Sequence, residues 1–170
     1  PVQPNAVGVE AEPAASGGGF SGAFPRPDYQ AGQVRSAARG VPDVAADADR
    51  ATGLALLASV GGKDRIFTAG GTSAAAPFWA AIVALADQLA NRRLGFINAA
   101  LYRIGDGPRY HAAFHDVRQG DNSVSRAPLL VRGYRASAGW DPVTGLGSPN
   151  AQELVPLLGQ SVRPGDGRGL

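Results

Sequence analysis

A chain of 170 residues is long enough for one domain with a buried core and too short for two large ones, and 44% hydrophobic against 18% charged residues excludes a disordered chain. The net charge of +2 comes almost wholly from arginines spread between Arg26 and Arg168 with no dense run, which argues against a nucleic-acid surface. The absence of cysteine removes disulfides, thiol chemistry and cysteine-ligated zinc together.

Residues 1–15, rich in Pro, Ala and Gly, read as a loop or linker without the basic start and apolar run of a secretion signal. Ser16-Gly17-Gly18-Gly19 follows, a backbone bare enough to lie close against another segment. Phe24-Pro25-Arg26-Pro27-Asp28-Tyr29 is a proline-stiffened connector, and Gly40-Val41-Pro42-Asp43-Val44 leads into a short apolar run. Leu54–Val60 and Arg65–Ala69, parted by Gly61-Gly62-Lys63-Asp64, predict a hairpin that delivers two glycines to Thr72 and Ser73.

From about Ala74 to Arg92 the apolar period turns helical. Phe78, Ile82, Leu85 and Leu89 form one row and Trp79, Val83, Ala86 and Ala90 the next. So wide a stripe predicts a helix buried deep in the domain. No stretch of about 18 wholly apolar residues occurs, so no membrane span is expected. A shorter helix over about 96–103 follows Gly95. Beyond it come glycine-rich loops, the run Pro128-Leu129-Leu130-Val131, the segment Gly139–Gly147 and a closing helix over 151–158. The body of the domain is therefore expected over 16–160, with a mobile tail at 161–170.

One hydroxyl stands out. A serine at the head of a long helix faces free backbone N–H groups and the positive end of the helix dipole, which can stabilise an oxyanion forming beside it. Pro77 has no N–H with which to bond the carbonyl of Ser73, so the first turn is loosened there. The alternative is that Thr72 or Ser73 simply caps the helix. A nucleophilic serine needs a base. His111 and His115 are the only histidines, but both lie in a loop-like stretch beside Asp116. Asp43, Asp47 and Asp49 cluster in PDVAADAD, where turn aspartates ordinarily serve backbone N–H groups.

A second constellation is Phe114-His115-Asp116-Val117, followed about twenty residues later by Ser137-Ala138-Gly139-Trp140-Asp141-Pro142. Two carboxylates flanked by glycine-rich backbone suit a hard cation that takes oxygen ligands. They also suit plain structural duty in two turns.

Six blocks now stand in order: SGGGFSGAFPRPDYQ, RGVPDVAADAD, GGTSAAAPFWAAIVALADQ, LGFINAALY, FHDV and GWDPVTGLGSP. Together they resemble the sedolisin family, serine-carboxyl peptidases with a subtilisin-like fold, from about Ser16 to Leu158. Ordinary subtilisins share a serine of the same kind but lack the FHDV and GWDPVTGLG pair in this form. The resemblance implies an α/β fold, a subtilisin-like parallel sheet with helices on both faces, present here as its C-terminal portion. It implies that Ser73 occupies the place of the nucleophile. It also implies a Ca2+ site held by the side chains of Asp116 and Asp141 and the backbone carbonyls of Val117, Ser137 and Gly139. Ser137 departs from the glycine that the family often carries, which matters only if the backbone there needs positive φ.

Family members pair the serine with a glutamate and an aspartate and hold the oxyanion with a further aspartate, all on the N-terminal side of the SGGG segment. Glu10 and Glu12 lie too close to Ser16 to match them. The expected partner is accordingly the missing N-terminal half of the peptidase domain, without which the sheet would expose an edge and apolar surface. The expected function is a secreted, calcium-stabilised endopeptidase or tripeptidyl peptidase that cleaves peptide or protein substrates at acidic pH through an acyl-enzyme on Ser73 and is inactive in this span alone. Its extracellular location follows from the resemblance, and no nucleic-acid or membrane partner is expected. The rival reading is a non-catalytic remnant, a calcium-stabilised binding or structural module, against which the intact Ser73 weighs.

Overall fold

The computed structural model describes residues 16–49, 51–126 and 129–161. The expected linker over 1–15 with Glu10 and Glu12, Pro128 and the tail from 162 onward lie outside the described residues.

Strands β1 (Gly19–Pro25) and β2 (Ala38–Val41) pair antiparallel and flank a single 3-10 turn at Asp28–Gln30. Pro27 starts that turn with its φ already at −70°. The predicted hairpin forms as β3 (Leu54–Val60) and β4 (Lys63–Ala69), in register from Leu54 opposite Ala69 to Val60 opposite Lys63. Gly61 and Gly62 have φ of 62° and 74°, as a two-residue turn with both centres left-handed requires, so the second strand starts at Lys63 rather than Arg65. The hairpin is exposed along both strands: Leu57 and Ile66, opposite one another, are 72% and 77% accessible.

Helix α1 spans Thr72–Ala90, two residues earlier at its start than the apolar period suggested, because Gly71 with φ 78° takes the cap. It stops where Asn91 turns left-handed at φ 50° and the Arg92 N–H reaches back to the Asp87 carbonyl. The predicted deep burial does not hold among the described residues. Only Ala74, Ile82 and Ala86 are buried, while Leu85 and Leu89 are more than half exposed. Stripe width records how much of a helix is apolar, and only one face of α1 meets a described neighbour. By length and composition alone α1 is also apolar enough to cross a membrane, although Asp87 interrupts its apolar run.

The remaining elements are α2 (Asn98–Gly105), α3 (Tyr110–Ala113), β5 (Phe114–His115), β6 (Val124–Arg126), β7 (Leu129–Val131), β8 (Ser148–Pro149) and α4 (Ala151–Ser161). Strand β5 pairs with β8 and β6 with β7, both antiparallel. Helix α4 lies against α1, α2 and α3. Its Leu154 and Leu158, one turn apart, are fully buried and join Ile82, Ala86, Tyr102 and Phe114 in the core.

Every strand pair among the described residues is antiparallel, so the parallel part of the expected sheet forms no ladder in this span. The apolar segment 42–48 instead bonds to loops and to the head of α1. The Asp43 carbonyl accepts the Leu146 N–H at 2.9 Å, the Ala45 N–H donates to Gly147 at 3.0 Å, and the Ala48 carbonyl accepts the Gly71 N–H at 2.6 Å. The bare SGGG backbone packs closely, as expected. A Cβ on Gly18 would fall 1.7 Å from the Pro142 carbonyl oxygen, which excludes any side chain there.

Candidate active site

Ser73 lies exposed in the first turn of α1. It is inside the helix rather than at its cap, since Gly71 holds that position, so neither Thr72 nor Ser73 does the capping considered above. The first intrahelical bonds run from Ala74 and Ala75 to the Gly71 carbonyl, which leaves the Thr72 and Ser73 N–H groups outside the helical ladder. Pro77, inside the helix, cannot bond the Ser73 carbonyl. A cleft of about 390 Å3 opens beside this end, lined by Gly17, Ala45, Ala48, Thr72, Ala76 and Trp79 among others.

The two histidines belong elsewhere. His111 packs against Tyr110 with ring centres 4.8 Å apart and planes tilted by 51°, and His115 pairs with Ser148 across β5 and β8. Asp47 and Asp49 close local turns by accepting the Asp49 and Ala51 N–H groups, so they serve backbone as turn chemistry suggested.

Asp43 does more. Arg39 grips it with both guanidinium nitrogens, at 3.0 and 2.5 Å, while Asn98 Nδ2 donates at 2.8 Å, the Tyr102 hydroxyl at 2.9 Å and Gln30 Nε2 at 3.2 Å. Burial, then the negative charge of Asp43, pushes the Tyr102 phenol well above its usual range. The hydrogen bond to Asp43 likewise raises Arg39. No motif announces this hub, although Arg39 and Asp43 stand four residues apart, as do Asn98 and Tyr102 on α2, because Gln30 and the two pairs meet only through the fold.

The second constellation is brought together in part. Asp141 is 1% exposed, and its Oδ1 accepts the Val143 and Thr144 N–H groups at 2.8 and 2.9 Å while Oδ2 accepts the Ser137 N–H at 2.9 Å. Asp116 reaches the same loop, its carboxylate taking the Gly139 N–H at 3.2 and 3.3 Å. The Asp116 side chain is 5% exposed, and the Arg118 Nε, on a largely exposed side chain, donates to it at 2.7 Å. Val117 follows directly in the chain and is half-buried. Ser137 does not have positive φ, since Asn91 is the one non-glycine residue that does among the described residues, so its replacement of glycine costs nothing in backbone strain. Gly139 has φ 75°. The Tyr110 hydroxyl donates to the Leu146 carbonyl at 3.1 Å, and burial, then the charge of Asp116, pushes the phenol above its usual range. No group of three or more acidic, histidine or cysteine side chains gathers among the described residues; the constellation offers two carboxylates and backbone carbonyls.

No protein-family model matches the chain. Curated relatives do. Kumamolisin of Bacillus sp. (strain MN-32) is 38% identical over 151 residues, covering 84% of this chain and 25% of its own length. Tripeptidyl-peptidase 1 of Dictyostelium discoideum is 35% identical over 160 residues, covering 82% and 24%. A structure described as Pseudomonas sedolisin, a serine-carboxyl proteinase complexed with two molecules of pseudo-iodotyrostatin, superposes with a TM-score of 0.70 at 28% identity, over 86% of this chain and 37% of its own.

The chain matches sedolisin-family members over most of its length.

It spans about a quarter of the length of the curated relatives it matches. Over that span the sedolisin fold is the subtilisin-like α/β fold, and the match agrees with a C-terminal portion of the peptidase domain.

Proposed function

We propose that this sedolisin span belongs to a secreted serine-carboxyl peptidase, endopeptidase or tripeptidyl peptidase, in which Ser73 attacks the scissile carbonyl. What carries the reading is the placement of Ser73 in the opening turn of α1, exposed, with the Thr72 and Ser73 N–H groups free of the helical ladder. Those donors and the helix dipole favour negative charge developing beside the hydroxyl. The bond from Ser73 Oγ to the substrate carbonyl carbon forms as the peptide C–N bond breaks, leaving an acyl ester; the hydroxyl proton passes to a base and then to the leaving amine. No histidine is bonded to Ser73, which agrees with a carboxylate base supplied by the remainder of the domain. A carboxylate in that role points to acidic working conditions. This span alone is then inactive, and its first partner is that remainder.

The Asp116 and Asp141 pair fits calcium chemically. Two nearly buried carboxylates converge on one loop with a single exposed guanidinium as counter-charge, and every donor is a hard oxygen. Their side chains with the carbonyls of Val117, Ser137 and Gly139 would hold the ion. When bound it would neutralise the two carboxylates and tie the 137–141 loop to β5. Asp141 meanwhile keeps its turn through the Val143 and Thr144 N–H groups.

The test is hydrolysis of denatured protein by the full-length enzyme at about pH 4, where carboxyl groups titrate, beside its Ser73→Ala form. Activity that depends on Ser73 supports a peptidase; activity that survives the substitution refutes the assignment, and a full-length chain with no activity at all favours the non-catalytic module.

A further inference from the structure

The residue Ala45 is bonded from two directions. Its N–H donates to the Gly147 carbonyl at 3.0 Å, in the turn that Asp141 organises, and its carbonyl accepts the indole N–H of Trp79 at 2.9 Å, on the second turn of α1. The same short segment is pinned at both ends. Pro42 takes the indole N–H of Trp140 at 3.0 Å, Asp43 takes the Leu146 N–H at 2.9 Å, and Ala48 takes the Gly71 N–H at 2.6 Å, two residues before Ser73. Ala45, Ala46 and Ala48 are all buried, so the segment has no large side chain with which to shift. Gly145 packs its backbone on Asp43 so tightly that a Cβ there would lie 2.4 Å from the carbonyl.

We infer that Trp79 is a positioning residue for Ser73, and that segment 42–48 links the 140–147 turn to the head of α1. The inference rests on Ser73 as the nucleophile. Two ties fix the helix head against the segment, the Gly71 N–H at its tip and the Trp79 indole about two turns along. Core packing of Ile82 and Ala86 holds the helix body, and the two ties set the angle of its head, at which Ser73 meets a substrate; with the indole tie cut, the Gly71 bond alone joins that head to the segment. Small errors in that placement are costly in the chemical step and leave remote substrate contacts intact. Trp79 also lines the cleft beside Thr72 and Ala76, so its ring fills space as well as donating.

The experiment uses the full-length enzyme with Trp79→Phe and Trp79→Tyr, which keep an aromatic ring and remove the indole N–H. Each is measured alone and combined with Asp141→Ala in a double-mutant cycle on a peptide substrate. The expected result is a loss of about tenfold carried by kcat, with KM within about twofold. In the Asp141→Ala background the same change costs less than threefold, because the link is already slack at its other end. Equal losses in both backgrounds, a loss carried by KM, or failure of both variants to fold would overturn the positioning role. Failure of the underlying reading is distinct, since Ser73→Ala would then leave the parent activity unchanged.

Discussion

The Tyr102 hydroxyl donates to Asp43 Oδ1 across 2.9 Å, joining α2 to the 42–48 segment from a position 59 residues away in the chain. Arg39, Asn98 and Gln30 complete the carboxylate's shell. Asp43→Ala strands a half-buried guanidinium, the Asn98 amide and the buried Tyr102 hydroxyl, while the Gln30 amide keeps the Gly40 carbonyl and the Tyr102 oxygen. It should lower the stability of the full domain by about 3 kcal/mol, read from urea unfolding; a loss below about 1 kcal/mol would show that the hub is dispensable.

Two buried phenols give the domain an alkaline limit. Tyr102 and Tyr110 are both held above the ordinary tyrosine pKa of 10.0, chiefly by burial and then by neighbouring carboxylates. An acid whose folded pKa is raised keeps its proton in the native state while the unfolded chain gives it up. The stabilisation is therefore complete below pH 10 and declines as pH rises beyond it. Melting temperature should fall steadily above pH 10, and less steeply in Tyr110→Phe; identical slopes in parent and variant would contradict this.

Much of the fold was legible because local chemistry governs it. The Gly61–Gly62 turn and the flanking apolar strands announce the hairpin, and the 3.6-residue period announces α1. Its boundary was missed by two residues because Gly71 rather than a hydroxyl side chain takes the cap. Deep burial of α1 was misjudged for another reason: Leu85 and Leu89 belong to the apolar stripe, yet composition cannot say what covers them. The place of Ser73 at the head of α1 was legible from the glycines and the apolar period around it, whereas the Asp43 hub was not. Its partners fall in segments far apart in the chain, Gln30, Arg39 with Asp43, and Asn98 with Tyr102, and are gathered only by the packing of α2 and the 3-10 turn.

The proposed calcium site involves the 137–147 loop. Removing the Asp141 carboxylate takes away one proposed ligand and the acceptor of the Ser137, Val143 and Thr144 N–H groups. Asp141→Ala should lower the melting temperature of the full domain in saturating calcium and weaken the shift that calcium gives the parent. Equal melting of variant and parent in calcium would refute both roles.

The exposed hairpin predicts behaviour of the 170-residue chain by itself. Leu57 and Ile66 form a bare cross-strand pair, and contiguous apolar surface of this kind drives association. Sedimentation should show self-association that Leu57→Thr with Ile66→Lys reduces, with a stability change within about 0.5 kcal/mol. Unaltered association would place the sticky surface elsewhere, with the Leu85 and Leu89 face of α1 the next to vary.

The central claim, that Ser73 forms the acyl-enzyme, is tested most directly by trapping that ester. The full-length enzyme is mixed with a peptide substrate at about pH 4, where ionising carboxylates are near their ordinary pKa, quenched in strong acid within the first turnover and mapped by mass spectrometry. The predicted result is an acyl mass on the peptide that contains Ser73, absent from Ser73→Ala. An acyl group on another residue, or hydrolysis in the parent with no Ser73 ester at any time point and undiminished by Ser73→Ala, would contradict it.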